Sequence, residues 1–232
     1  MSKLYLIGTP IGNLEDITLR ALNKLKEVSI IACEDTRVTY KLLKHYQIEG
    51  KKLFSHNKFN EKSSAKGLVD LILQGNDIAL VSDAGMPLIS DPGFDLIKLC
   101  KENNIQIELI PGVSAVTSAF VLSNFSDTFT FCGFIKDKTN QRVNYLKNLT
   151  QGTYIFFVSP HKIEKTLEDI NLVFNGNEKI SLSREITKKF EKTYHGSAIE
   201  VLNTLKTNSE ILGEFTLVLH IPKVKKVKIS KY

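Results

Sequence analysis

The chain has 232 residues, of which 42% are hydrophobic and 24% are charged; this is enough to bury a sizeable core and excludes an intrinsically disordered chain. No apolar run reaches the ~18–20 residues needed to cross a bilayer, so we expect a soluble, cytoplasmic protein without membrane contact. The formal net charge is +6, but five lysines lie in residues 222–232 and the rest of the chain is nearly neutral. This basic tail fits a contact with a phosphate backbone and, equally, a solvated extension.

The cysteines Cys33, Cys100 and Cys132 are far apart, and each lies in or beside an apolar segment. The histidines are scattered and there is no Cys-x-x-Cys pair. This pattern indicates buried thiols in a reducing compartment and no protein-bound metal.

In the first half of the chain, short apolar runs alternate with segments of helical periodicity. An unbroken apolar run at 78–81 is typical of a strand covered on both faces. The alternation predicts an α/β domain with a mostly parallel sheet. The expected strands are 3–8, 28–33, 51–54, 77–82 and 105–110, and the expected helices are 17–26, 36–45, 61–73, 92–101 and 113–122.

The second half has a different pattern, with consecutive strands joined by a short connection, which favours a mixed sheet. We predict two tandem α/β domains, 1–118 and 119–222, followed by the lysine-rich tail 223–232, with a ligand in the cleft between the domains. The expected strands are 128–132, 153–158, 179–183, 190–195 and 214–221, and the expected helices are 141–149, 163–174 and 198–206.

Two loops after the first strands carry candidate functional residues, because ligands of open α/β sheets bind beyond the carboxyl ends of the strands. Residues 8–13 contain two glycines and a proline, which suits either close approach to a ligand or a plain tight turn. Glu34, Asp35 and Arg37 follow the second strand. Asp35 is a candidate helix N-cap, and this loop could also hold a ribose hydroxyl or orient a substrate.

Two further loops follow the fourth and fifth strands. In residues 82–93, Asp91 and Pro92 are predicted as N-cap and first residue of the next helix. Asp83, Gly85 and Pro87 then form a rigid loop of small residues above the sheet. In residues 111–115, small residues open a helix whose N–H groups can bind a carboxylate or a ring nitrogen.

Four stretches in this order resemble the tetrapyrrole-methylase family of S-adenosylmethionine-dependent methyltransferases. They are TPIGNLEDIT at 9–18, EDTR at 34–37, SDAGMPLISDPG at 82–93 and REITK at 184–188. The resemblance is greatest to the branch that 2′-O-methylates a cytidine ribose in small-subunit rRNA. It implies S-adenosylmethionine as methyl donor, small-subunit rRNA or the 30S subunit as partner, and a homodimer.

The resemblance also implies roles for individual residues. The catalytic candidates are Glu34, Asp35 and Arg37, and the base that activates the acceptor hydroxyl is left open among Glu34, Asp35 and Asp83. Arg184 is either a substrate contact or the partner of Glu185 in a structural ion pair. The remaining substrate-binding candidates are Pro10, Asn13 and Asn60; the donor-binding candidates are Ile11, Asp83, Ala84, Gly85, Met86, Pro87, Ser114, Ala115, Phe157 and Glu214.

Some features depart from the family pattern. Met86 stands where threonine is usual and could narrow the donor slot. Relatives usually have histidine at the position of Asn57; His56 is either a displaced substitute for it or, as we expect, a plain loop residue. The further C-terminal domain of many relatives is not expected. Other functions stay open: a methyltransferase acting on a tetrapyrrole carbon, a dehydrogenase that uses NAD, a non-catalytic nucleotide-binding module, or an RNA-binding scaffold. Glu34 follows Gly12 at about the spacing of a dinucleotide fold, but the Gly-x-Gly-x-x-Gly pattern is missing.

Overall fold

The computed structural model describes residues 2–223, so the prediction for the basic tail falls almost entirely outside the described residues. Backbone contacts divide the chain into two compact units, Met1–Ala115 and Val116–Tyr232. The division lies three residues before the predicted boundary at 118/119, which stays a prediction. No helix in the described part of the chain is long and apolar enough to cross a membrane.

The first unit is built on a five-stranded sheet in which every strand pair is parallel, in the order β3-β2-β4-β1-β5. This confirms the α/β fold class predicted for it. Its strands are β1 (Lys3–Ile7), β2 (Ile30–Cys33), β3 (Lys52–Ser55), β4 (Ile78–Val81) and β5 (Gln106–Ile110); its helices are α1 (Leu19–Glu27), α2 (Thr36–His45), α3 (Glu61–Leu73), α4 (Phe94–Glu102) and the start of α5 (Ala115–Ser123).

Alternation along the central strand β4 places a core on each face of this sheet. Ile78 and Leu80 pack in the cluster that contains buried residues of α3 and α4, whereas Ala79 and Val81 pack with buried residues of α1 and α2. Both faces are therefore covered at the centre of the sheet, which leaves the ends of the central strands for binding. The carboxyl ends of β2, β4, β1 and β5 lie side by side at one edge, so their following loops are neighbours.

Caps explain where the helices of this unit begin. The Asp35 side chain accepts from the N–H of Arg37, which confirms the predicted N-cap of α2. The predicted cap of α4 is wrong, because α4 starts at Phe94 with Gly93 as N-cap, instead of at Pro92 after Asp91. Glu61, at the start of α3, supplies the missing carboxylate: its Oε1 accepts from the N–H groups of Gly93 and Asp95 at 2.8 and 3.2 Å.

The second unit has a mixed five-stranded sheet in the order β6-β7-β10-β8-β9, in which β6–β7 is parallel and the other pairs are antiparallel. Its single core is apolar and includes Phe156, Leu182 and Leu217. The strands are β6 (Thr130–Phe134), β7 (Gly152–Val158), β8 (Lys179–Arg184), β9 (Lys192–Gly196) and β10 (Phe215–Ile221); the helices are α6 (Thr139–Lys147), α7 (Ile163–Phe174) and α8 (Ala198–Thr207).

All the predicted elements occur, with ends shifted by one or two residues in most of them. β9 begins at Lys192 instead of residue 190, because a hydrogen-bonded turn from Lys188 to Glu191 precedes it. Cys33 and Cys100 are buried as expected, whereas Cys132 is partly exposed.

Candidate active site

The loops after β1 and β4 are held together by backbone hydrogen bonds. The N–H of Thr9 donates to the carbonyl of Gly85 at 2.9 Å, and the N–H of Gly85 donates back to Thr9 at 3.1 Å. Gly85 has φ +81°, and a Cβ there would lie 3.2 Å from Ile11 Cγ2, so only glycine suits this position. Two predicted donor-binding residues, Ile11 and Gly85, are therefore brought into contact.

The loop after β5 joins the same structure. A Cβ on Gly8 would lie 2.7 Å from Gly112, so the two glycines allow the ends of β1 and β5 to approach closely. The Met86 thioether fills the space beside them, with its Sδ accepting from the N–H of Gly112 at 3.2 Å. Ala84 is exposed, Ser114 and Ala115 are half-buried, and Pro87 is buried. Ala84, Ser114 and Ala115 thus offer small side chains and backbone at the accessible surface of these loops.

The three candidate catalytic carboxyls differ sharply in environment. Arg37 donates to Asp35 from Nε at 3.0 Å and from a terminal nitrogen at 2.6 Å, and its N–H adds a third bond. These bonds hold the pKa of Asp35 at about 2. Asp35 is therefore an anion that caps α2 and pairs with Arg37, and it is a poor proton acceptor.

Burial and neighbouring negative charge raise the pKa of both Glu34 and Asp83. Asp83 Oδ1 accepts from the N–H of Asp35 at 3.0 Å, which fixes its orientation. The Glu34 carboxylate has no hydrogen-bond partner within residues 2–223, and Lys58 is the cation that acts on it. Glu34 is accordingly the candidate that combines a raised pKa with a carboxylate free to accept a proton.

An open cavity of about 420 Å³ lies at this edge of the sheet, within the first unit. Its volume is in the range of ligand-binding pockets. Its lining includes Glu34, Asp35, Arg37, Asn57, Lys58, Phe59 and Asp83. The sequence prediction named four of these residues and missed Asn57, Lys58 and Phe59. The sequence feature that could have indicated them is Phe59, a single phenylalanine among polar loop residues.

Asp91 was predicted only as a cap, but it belongs to this carboxyl cluster. Burial and the negative charge of Glu34 raise its pKa to about 6, although the Ser82 side chain hydrogen-bonds to it. Asp91 is therefore a titratable group close to the cavity at mildly acidic pH.

Residues 55–60, after β3, form a loop closed by its own side chains. The Asn60 amide donates to the carbonyl of Ser55 at 3.0 Å and accepts from the N–H of Asn57 at 2.8 Å. Asn60 was predicted to bind substrate, but its amide group forms hydrogen bonds within the loop and stabilises it. His56 is fully buried instead of a plain loop residue, and its Nδ1 lies 2.7 Å from Ser64 Oγ.

The other predicted substrate residues of the first unit have structural contacts. Pro10 is buried. Asn13 is exposed and caps the short helix Leu14–Asp16 by accepting from the N–H of Glu15 at 3.0 Å. Their roles in binding stay predictions.

The candidates in the second unit lie near one another at the ends of β8 and β10. Arg184 donates from Nε to the carbonyl of Leu212 at 2.7 Å. Glu185 accepts from the N–H of Glu214 at 2.8 Å, and Lys188 pairs with both glutamates, at 3.2 Å for Glu185 and 3.1 Å for Glu214. Glu185 is thus paired with Lys188 instead of Arg184. Phe157, on β7, stacks edge-on with Phe131 and Phe134.

Comparisons with known proteins agree with this architecture. The family model "Tetrapyrrole (Corrin/Porphyrin) Methylases" matches residues 3–202. A protein of Thermus thermophilus, a uroporphyrin-III C-methyltransferase solved with S-adenosylhomocysteine, has a similar fold, with a TM-score of 0.65, 15% identity and coverage of 94% of this chain and 97% of that one. The chain therefore belongs to the tetrapyrrole methylase family.

Two curated relatives narrow the comparison within the family. The chain is 54% identical to "Ribosomal RNA small subunit methyltransferase I" of Mycoplasmopsis pulmonis, over 95% of this chain and 99% of the relative. It is 45% identical to a protein of the same name from Mesomycoplasma conjunctivae, over 99% and 96% of the two chains.

Proposed function

We propose that the protein transfers a methyl group from S-adenosylmethionine to the ribose 2′-oxygen of a cytidine in small-subunit rRNA. Relatives that match this chain over nearly their whole length are named small-subunit rRNA methyltransferases, which supports rRNA as the substrate. The observation that carries the chemistry is the Glu34 carboxylate, which has a raised pKa and lies in an open cavity beside Asp83.

The residues at the strand ends suit a sulfonium donor. The exposed loop surface at Ala84 and the half-buried Ser114 and Ala115 present backbone and small side chains, so a nucleoside can approach the main chain closely. Asp83 adds a carboxylate for a hydroxyl or ammonium group. The donor, when bound, supplies an electrophilic methyl carbon whose leaving group becomes neutral.

The residues of this chain supply orientation and a base. Transfer to oxygen is an in-line displacement, so much of the acceleration comes from holding the hydroxyl in place. Glu34 accepts the proton of the 2′-hydroxyl as the bond to oxygen forms. Asp35 and Arg37, paired with each other, hold the start of α2 and thereby the backbone of Glu34.

Radiolabelled methyl transfer to rRNA tests the proposal. Free small-subunit rRNA and isolated 30S particles are incubated with the protein and labelled S-adenosylmethionine, and nucleosides are separated by mass. Labelled 2′-O-methylcytidine is expected. Label on a base, or no label on either RNA substrate, would contradict it.

The proposal includes a cytoplasmic location, where ribosomal subunits are found, and a homodimer. Light scattering at several protein concentrations measures the oligomeric state, and a mass of one chain throughout would contradict the dimer.

A further inference from the structure

The side chain of Phe59 is 101% exposed, the highest exposure among the large hydrophobic residues that the structure describes. A ring in that position buries no area in the fold and adds nothing to folding stability through the hydrophobic effect. Its neighbours Lys58 and Asn60 are polar. The ring is thus an isolated apolar surface at the edge of the candidate active site.

The backbone beneath this ring is firmly held. The N–H of Phe59 donates to Asn57 Oδ1 at 3.0 Å, and the Asn57 amide donates to Ser55 Oγ at 3.1 Å. The buried His56 anchors the start of the loop, with its N–H donating to the carbonyl of Cys33 at 2.8 Å. The loop therefore holds the backbone of Phe59 in place, so that mainly rotation about its side-chain bonds is lost on binding.

Phe59 belongs to the lining of two concave surfaces. One is the 420 Å³ cavity that it lines with Glu34 and Asp83, and the other is a neighbouring cavity of about 340 Å³ that includes Lys62 and Asp95. A planar group that enters the first cavity therefore meets an aromatic face at its edge.

The charged residues of the 420 Å³ cavity indicate whether electrostatic attraction or stacking would bind a nucleotide there. Its lining has three carboxyl groups, Glu34, Asp35 and Asp83, against the cations Arg37 and Lys58. Arg37 is already engaged by Asp35. Attraction of phosphate cannot dominate at a surface with this balance, whereas stacking of a base on an aromatic ring is independent of net charge.

We propose that Phe59 stacks on the unpaired base of the RNA nucleotide that is to be methylated, and so positions its ribose towards Glu34. This inference rests on the proposed function and adds a substrate-binding residue to it. Stacking tolerates any base, so Phe59 supplies affinity and orientation, and base identity is selected elsewhere.

The absence of tryptophan from the sequence gives a direct measurement. In Phe59→Trp the new indole is the only one, and its fluorescence should be quenched when single-stranded oligocytidylate or small-subunit rRNA binds. Tyr40→Trp is the matched control, because Tyr40 is an exposed aromatic residue of α2 that lines neither cavity. Quenching in Phe59→Trp without quenching in the control is expected; equal quenching in both, or in neither, would overturn the proposal.

Kinetics separate stacking from a structural role. Phe59→Ala is expected to raise the KM for rRNA about tenfold to a hundredfold and to lower kcat at saturating RNA by a smaller factor, because the ribose is oriented less well. The melting temperature should be nearly unchanged. Phe59→Tyr should restore the KM and Phe59→Leu should not, because leucine offers apolar area without a π-face. An unchanged KM in Phe59→Ala, or full activity in Phe59→Leu, would overturn the stacking.

The outcome also distinguishes this inference from the proposed function. If the wild-type protein methylates no rRNA, the proposed function is wrong. If the wild-type protein methylates rRNA and Phe59→Ala has a normal KM for rRNA, the stacking proposal is wrong and the proposed function still holds. Calorimetry with S-adenosylhomocysteine should give the same affinity for wild type and Phe59→Ala, and a weakened affinity in the variant would show that Phe59 acts on the donor side instead.

Discussion

Glu61 and Gly93 are joined by a hydrogen bond of 2.8 Å from the Gly93 N–H to the glutamate Oε1. The same oxygen accepts from Asp95, so the first residue of α3 caps the N-terminus of α4. This contact fixes the end of the loop 82–93, which contributes Asp83 to the cavity. α3 thereby holds the far end of a loop whose first residues line the cavity.

Glu61→Ala is expected to lower the free energy of unfolding by about 0.5–2 kcal/mol, the usual cost of a lost N-cap. Urea unfolding at neutral pH measures it, with Glu61→Gln as the milder variant because an amide oxygen still accepts. Burial acts to raise the pKa of Glu61, but the bonds from Gly93 and Asp95 outweigh it and the pKa is lowered. The contribution is therefore present above the ordinary glutamate pKa and is lost as the pH falls through the lowered one. A Glu61→Ala variant as stable as wild type would contradict the cap.

Local sequence patterns were sufficient for the elements whose determinants are local. α2, α3 and α7 have the predicted ends. At α4 the same logic failed, because Asp91 is a suitable N-cap by residue type while the carboxylate that caps the helix is 32 residues away in the chain. Helix-capping propensity depends on residues that are neighbours in the sequence, so it cannot predict such a long-range contact.

The site shows the same division. The residues at the strand ends were predictable, since parallel strands place their following loops at one edge. The difference between Glu34 and Asp35 was not, because it depends on the conformation of Arg37 and on Asp83, 48 residues beyond Asp35. Phe59 was missed because an exposed aromatic residue has no periodic signal.

Glu34→Gln is expected to lower kcat for methyl transfer by about 10²- to 10⁴-fold, the usual contribution of a positioned base, with little change in the KM for RNA. Burial raises the pKa of Glu34. Wild-type kcat should therefore rise with pH, with a midpoint above the ordinary glutamate pKa, and this rise should be missing in the variant. Asp35→Asn is the control, expected to destabilise the fold and to retain most of kcat. A greater loss of kcat in Asp35→Asn than in Glu34→Gln would reverse the assignment.

Asp91 gives the protein a pH-dependent stability. Its pKa is about 6 in the folded protein against 3.8 for the free side chain, because of burial and the charge of Glu34. The folded state therefore binds this proton more tightly, and the free energy of unfolding falls as the pH rises from 3.8 to about 6. Asp91→Asn should flatten this slope, so that it gains stability over wild type at pH 7 relative to pH 4. Urea titrations at both pH values measure it, and equal slopes would contradict the shift.

Gly213 accommodates the Glu185 side chain that joins the ends of β8 and β10. Gly213 has φ +98°, and a Cβ there would lie 2.7 Å from Glu185. Gly176 is a matched control, because it has φ +78° and open space around it. Gly176→Ala is expected to cost about 1–2 kcal/mol for the left-handed backbone alone. Gly213→Ala should cost about 0.5–1.5 kcal/mol more, since it displaces the carboxylate that accepts from the Glu214 N–H. Equal losses in urea unfolding would contradict the contact.

The buried pair Arg142–Asp169 joins α6 to α7. The two side chains are 1% and 4% exposed and lie 2.6 Å apart, and Arg142 also donates to the carbonyl of Lys136 at 2.8 Å. Asp169→Ala leaves a buried guanidinium unpaired and is expected to cost about 3–5 kcal/mol of unfolding free energy. The exposed pair Lys165–Glu168 on the same helix is the control, where Glu168→Ala should cost less than about 1 kcal/mol.

Replacing both members of the buried pair distinguishes the charge from the packing. Arg142→Met combined with Asp169→Leu removes both charges and keeps most of the volume, so the double variant is expected to be more stable than Asp169→Ala. Thermal and urea unfolding of wild type, Arg142→Met, Asp169→Leu and the double variant give the interaction free energy between the two sites. If the double variant loses as much as the sum of the two single replacements, the pair acts through packing and the carbonyl contacts of Arg142, and the ionic contribution is negligible.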